Sequence, residues 1–236
     1  VTAFVAIALL AMPQPWGQLF RRDHILVLGT PGCGKTPFAA ELVEGGPLAA
    51  QVGLPGPAAR RVVYFDPTGE WQRHGEVVQP EDMRDAAAGD GELLRGTFLR
   101  LVVEPRDTDD DELLLEDFAW TVAACRKAER FGGLVLVADE VGDINEAGGA
   151  ALLRGLHRNG HKNGVATILC SPAWTDIPAR CRSSRSRVFS FAQLADADVE
   201  NLNRELGRVV PDFGDRAAAW KYPAPPVAWT SPTLHR

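Results

Sequence analysis

The sequence predicts an α/β fold, a mostly parallel central sheet with helices on both faces. Three observations predict it. Short apolar runs rich in valine, leucine and isoleucine recur along the chain, each the length of one buried strand. Segments with helical patterning separate them, as parallel neighbours require. The run Ile25-Leu26-Val27-Leu28 leads into a glycine-rich turn and then a helix-forming stretch, Phe38-Ala39-Ala40-Glu41-Leu42-Val43.

Taken in order, strands are predicted at Ile25–Gly29, Val62–Asp66, Phe98–Val103, Leu134–Asp139, Val165–Cys170 and Val188–Phe191. Helices are predicted at Lys35–Glu44, Glu112–Glu129, Ala147–Arg158 and Ala197–Leu206. The acidic run Asp107–Glu112 opens a helix, its carboxylates lying near the positive end of the dipole. Gly45–Ala59 and the tail Pro223–Arg236 read as loops, with a short strand near Ala219–Lys221.

The chain has 236 residues, 45% of them hydrophobic, enough for one large domain. That domain is expected over residues 24–222, with an apolar segment at 1–23 and a proline-rich tail at 223–236. A net charge of −6 excludes binding of nucleic acid by bulk charge, so any such contact needs a local patch or the centre of an assembly. Cys33, Cys125, Cys170 and Cys181 form no Cys-x-x-Cys pair, which argues against a zinc site or a disulfide framework and for a reduced, intracellular protein. The apolar run Ala3–Met12 is shorter than the ~20 residues that span a bilayer. No basic stretch precedes it, so a signal peptide is not expected. It is read as a strand or docking helix covering the sheet, with a membrane-surface or partner-binding segment as the alternative. The expectation is a protein without a transmembrane helix, not secreted.

Gly29-Thr30-Pro31-Gly32-Cys33-Gly34-Lys35-Thr36 fits the phosphate-binding pattern G-x-x-x-x-G-K-[ST] at every fixed position. Such a loop, with Pro37 just inside the helix, wraps phosphates with backbone N–H groups at a positive helix end. Lys35 is expected on the β- and γ-phosphates, and Thr36 on Mg²⁺. Leu134–Ala138 ends in Asp139-Glu140, which places carboxylates at the edge of the sheet where ligands bind. Asp139 is expected to orient the metal and Glu140 to polarise an attacking water. A third strand ends in Asp66-Pro67-Thr68-Gly69-Glu70-Trp71, a tight turn whose Asp66 and Glu70 would flank a nucleotide if the two strands were neighbours. A fourth stretch, Leu156–Gly164, is a basic helix end that runs into Val165–Cys170 and then Ser171–Pro178.

The order of these motifs resembles the FtsK/HerA superfamily of DNA-pumping P-loop ATPases over roughly residues 24–195, and is most similar to viral genome-packaging members. The resemblance implies a RecA-like domain in a ring, commonly a hexamer, with ATP between subunits and double-stranded DNA in the pore. It implies nucleotide contacts from Asp66, Glu70 and Ser171 beside the phosphate loop. It also implies an arginine acting in trans. His161 stands where the family usually has that arginine, so Arg158 is taken for the role, with Arg154 and Arg187 as alternatives. Ser171 stands where the family usually has a glutamine sensor.

The cluster Arg180–Arg187 reads as a phosphate or subunit contact or as a solvated loop, and Arg73-His74 and Arg95 as candidates for contact with a DNA backbone. The functional expectation is an ATP- and Mg²⁺-dependent motor that packages a viral genome. Its partners would be duplex DNA, other copies of itself, and capsid or viral membrane proteins. It would work in the host cytoplasm or on the virion. The alternatives are a conjugative or secretion-type motor, a P-loop small-molecule kinase with Arg180–Arg187 as its lid, and a nucleotide-gated interaction protein.

Overall fold

The strands are β1 (His24–Leu28), β2 (Arg61–Phe65), β3 (Glu76–Val78), β4 (Leu99–Val103), β5 (Leu134–Ala138), β6 (Val165–Ser171), β7 (Arg187–Ser190) and β8 (Val227–Thr230). They form one sheet in the order β3-β4-β2-β5-β6-β1-β7-β8, parallel throughout except for the antiparallel pair β7–β8. The computed structural model describes residues 24–47, 61–131, 133–159, 164–185, 187–191, 196–206 and 227–230.

Helices α1 (Lys35–Glu44), α2 (Pro80–Ala88), α3 (Asp111–Lys127), α4 (Val141–Ile144), α5 (Ala150–Asn159), α6 (Ala179–Ser184) and α7 (Asp196–Leu206) cover both faces. Every residue of β1, β2 and β5 is buried, so alternate side chains feed two separate cores. Leu26, Leu28, Val63, Phe65 and Leu136 pack with Met83, Phe118, Leu153 and Leu202, which come from helices α2, α3, α5 and α7. Ile25, Val27, Tyr64 and Val137 face the other way and meet Phe38 and Leu42 of α1. Phe38 packs edge-on against Phe189 and Phe191, with ring centroids 5.1 and 5.3 Å apart.

All six predicted strands and four predicted helices are present, with small shifts at their ends. The acidic run does open a helix. Asp110 caps α3 by accepting from Glu112 N and Leu113 N at 2.9 and 3.1 Å, and Arg126 and Lys127 close the helix with the opposite charge. The helix predicted from Ala147 starts as α5 at Ala150, because Gly148 adopts φ 96° and breaks the preceding turn. Helix α2 was not predicted, since it is short and mostly polar, with only Pro80, Met83 and Ala86 buried. Its ends hold it instead: Pro80 occupies the first turn, and Gln79 and Asp82 form a reciprocal capping box.

The tail expected as loop supplies β8, which pairs Val188 with Trp229 at the sheet edge. The N-terminal segment 1–23, most of Gly45–Ala59 and the strand expected near Ala219–Lys221 lie outside the described residues.

Strand order positions the site. β6 separates β1 from β5, so the ends of those two strands stand about 10 Å apart, two inter-strand spacings. β2 does not neighbour β1; β5 and β6 lie between them.

A buried histidine pair ties β1 to the helix face. His24 of β1 and His157 of α5 stack at 4.2 Å, and both approach the Thr167 hydroxyl, at 2.9 and 3.2 Å. Burial and the nearby His24 hold His157 well below the ordinary histidine range. A depressed histidine pKa means that the folded state favours the neutral ring. That contribution is complete above the unfolded value of about 6.5 and is lost as pH falls below it. The thermal midpoint should therefore drop on acidification from pH 7 to 5, and His157→Gln should flatten the drop; an equal drop in both proteins would contradict this.

Candidate active site

The chain leaves β1 at Gly29. The loop base is pinned on both sides: Gly29 N donates to Ser171 O at 3.2 Å, and Phe191 N donates to Leu28 O at 2.8 Å. Gly32 (φ 72°) and Gly34 (φ 102°) take left-handed conformations that a side chain would strain, and this turns the backbone into α1. No side-chain hydrogen bond caps α1, which leaves the N–H groups of Lys35 and Thr36 at its start as donors, while Phe38 N bonds to Gly34 O. A cleft of about 280 Å³ lies over this loop, lined by Pro31, Gly32, Gly34, Lys35, Thr36, Pro37, Thr68, Glu70, Asp139 and Glu140.

The far wall is built by β5. Asp139, just beyond the strand, is 2% exposed. Its Oδ1 accepts from Glu140 N at 3.0 Å, and its Oδ2 accepts from the Trp71 indole Nε1 at 2.8 Å. The Thr36 hydroxyl stands 3.4 Å from the same Oδ2. Burial raises the Asp139 pKa above the ordinary carboxylate value; the bonds from Trp71 and Glu140 and the charge of Lys35 oppose that rise. Glu140 is held at φ 41°, ψ 53°, the only described non-glycine residue with positive φ. Strain of this kind clusters at functional sites. Burial, and then the charges of Asp139, Asp143 and Asp176, push the Glu140 pKa up, with Lys35 opposing.

The turn after β2 closes the third side. Asp66 is 1% exposed, and its carboxylate accepts from Thr68 N, Thr68 Oγ1, Glu70 N and Trp71 N at 2.8–3.2 Å. These bonds carry Glu70 over the end of β5 to the cleft, although β1 and β2 are not neighbours. Asp66 thus shapes the turn and does not line the cleft.

Ser171 likewise turns away from the cleft lining. Its hydroxyl lies 3.0 Å from Asp176 Oδ2 and 3.1 Å from Ala173 O. Gly29, Thr30 and Cys33 serve the loop's backbone: Cys33 N donates to Thr30 O at 3.2 Å, and the Cys33 side chain is buried in the core. Trp71 is the site residue that sequence reasoning missed. An indole buried at the end of a strand-turn motif was the available signal, because a buried Trp N–H requires an acceptor.

The arginines divide. Arg182 and Arg185 lie over the Trp174 ring at 5.4 and 5.1 Å, and burial pushes the Arg185 pKa down to about 10. Arg187 starts β7, at the end of the strand remote from the phosphate loop. Arg154 is exposed on α5. Arg158 sits in the last turn of α5, which leads into the start of β6, and its side chain lies outside the described residues, as do Gly160–Asn163. Arg73 lines a hollow of about 340 Å³ beside the cleft, and Arg95 pairs with Asp90.

No family model matches the chain, and no curated protein matches its sequence. Solved structures do. The genome packaging NTPase B204 from Sulfolobus turreted icosahedral virus 2, in complex with AMPPCP, aligns with TM-score 0.55 at 14% identity over 85% of this chain and 89% of that one. The fold is that of a P-loop NTPase. VirB4 of Thermoanaerobacter pseudethanolicus aligns with TM-score 0.56 at 12% identity, covering 84% of each chain. B204, the DNA-packaging ATPase from Sulfolobus turreted icosahedral virus, aligns with TM-score 0.53 at 15% identity over 83% of this chain and 86% of that one.

Within this P-loop fold the Thr36 hydroxyl and the Asp139 carboxylate form a hard-oxygen pair, the donor type that suits Mg²⁺. A buried carboxylate with a raised pKa also wants a cation beside it. With no cation bound, the Asp139 charge costs stability at neutral pH. Mg²⁺ with nucleotide should raise the wild-type thermal midpoint, and Asp139→Asn should lose that rise. An equal Mg²⁺-dependent rise in both proteins would contradict this.

Proposed function

We propose that the chain hydrolyses ATP and uses the energy to translocate double-stranded DNA, packaging a viral genome. The observation that carries the reading is Glu140 beside Asp139 on one wall of a cleft whose other wall is the Gly29–Thr36 loop.

In this reading the loop amides and Lys35 hold the phosphates and offset their charge. Thr36 and Asp139 would hold Mg²⁺, which when bound neutralises charge on the phosphate oxygens. Glu140 accepts the proton of the attacking water. Its raised pKa brings it nearer the operating pH, where a general base is most effective, and its left-handed backbone fixes its direction. Glu70 adds a second acid at the mouth. Arg158 of a neighbouring copy supplies the trans charge, with Arg154 and Arg187 as the other candidates.

The packaging cargo is supported by the likeness to B204, the ring by the same resemblance, and capsid or viral membrane proteins are the docking partners it implies. The host cytoplasm or the virion is the corresponding place of work. No described helix is long and apolar enough to cross a membrane. A conjugative or secretion-type motor is the second reading, favoured by the equal likeness to VirB4. Against a small-molecule kinase stands the Arg182–Arg185 segment, whose guanidinium groups lie over the Trp174 ring and do not line the cleft.

Steady-state ATP turnover with and without duplex DNA tests the proposal. Stimulation should occur on any sequence and weaken with salt. Glu140→Gln should keep ATP affinity within a few-fold and lose roughly 10²–10⁴ in kcat. Full turnover in that variant would remove Glu140 from its role, and an absence of DNA stimulation would favour the second reading. Mixing Lys35→Ala with Arg158→Ala should partly restore activity if sites are shared between copies; no recovery would count against Arg158 as the trans group.

A further inference from the structure

Trp71 is 0% exposed, and its ring stacks on Tyr64 with centroids 4.8 Å apart. Its backbone N–H is tied to Asp66 Oδ2 at 2.8 Å. Both contacts fix where the indole Nε1–H points. It points at Asp139 Oδ2, across 68 positions of sequence. A buried core tryptophan needs only some acceptor. Here the acceptor is the carboxylate oxygen that also faces the Thr36 hydroxyl.

Carboxylate χ2 torsions are broad and nearly two-fold, so an aspartate at a strand end is not oriented by its own rotamer. Beside the Thr36 hydroxyl at 3.4 Å, two closer donors orient this one: Glu140 N on Oδ1, which is local, and Trp71 Nε1 on Oδ2, which belongs to another loop. The neutral indole N–H satisfies one lone pair of Oδ2 without adding positive charge, leaving the oxygen able to attract a cation.

We propose that Trp71 is a positioning residue for the Mg²⁺ that accompanies the nucleotide, acting through Asp139 Oδ2. The inference rests on the nucleotide-binding reading of the cleft. Removing the indole N–H while keeping an aromatic ring leaves Oδ2 with only the longer contact from the Thr36 hydroxyl, at 3.4 Å. The nucleotide's own affinity is carried by the loop and should not change; the additional affinity that Mg²⁺ confers should.

The test is calorimetric titration of wild type and Trp71→Phe with ATPγS, in Mg²⁺ and in EDTA. Wild type should bind more tightly in Mg²⁺. Trp71→Phe should match wild type within twofold in EDTA and lose about tenfold of the Mg²⁺-dependent gain, the size expected for one hydrogen bond to a charged group. An undiminished gain in Trp71→Phe overturns the proposal while leaving the nucleotide site intact. A wild type that binds no ATPγS in either buffer overturns the site reading and this proposal with it.

Should the variant fail to fold, ¹⁵N-tryptophan spectra of wild type bound to ATPγS decide the matter. The indole signal with the strongest carboxylate-type downfield shift should move on Mg²⁺ addition and broaden on Mn²⁺ addition. Indole signals indifferent to both metals overturn the proposal.

Discussion

The Asp139 carboxylate is the point on which the rest of the site depends. It is almost fully buried, and burial pushes its pKa up. Donors from two elements face it: the backbone of Glu140 and the indole of Trp71. The Thr36 hydroxyl approaches from a third. Loop, strand end and turn therefore converge on one charge, and the cleft exists because they do.

The sheet makes that convergence possible. One intervening strand, β6, sets the gap between the phosphate loop and the acidic wall. Parallel pairing puts the ends of β1, β2 and β5 at the same edge, so every loop leaving them emerges on the cleft side. The two cores below differ in composition. Helix α1 packs its aromatic and aliphatic residues on one face, while α2, α3, α5 and α7 cover the other. The phosphate loop is thus the hinge between a strand buried on both faces and a helix packed flat against it, with glycine at the positions where the backbone must turn left-handed.

Much of this was legible in the sequence, for physical reasons. Gly29–Thr36 and Asp139-Glu140 lie directly on strand ends, where chain direction and sheet polarity determine where a side chain goes. Asp66 follows a strand and Ser171 ends one, yet each is satisfied by its own turn. A short polar side chain at a strand end can serve either the ligand or the local backbone, and spacing alone does not separate the two. Trp71 was missed because its partner is remote in sequence. Helix α2 and strands β3 and β8 were missed because they are short and are held by caps and edge pairing, with few apolar residues. The arginine cluster was legible as charge, but the use of Arg182 and Arg185 as lids on Trp174 depends on tertiary packing.

The most direct test of the central claim is a crystal structure with a non-hydrolysable ATP analogue and Mn²⁺, read by anomalous scattering. One metal peak should stand between Thr36 and Asp139, with the terminal phosphate between Lys35 and Glu140. A nucleotide bound elsewhere, or bound over Gly29–Thr36 with no metal at Asp139, would contradict the claim.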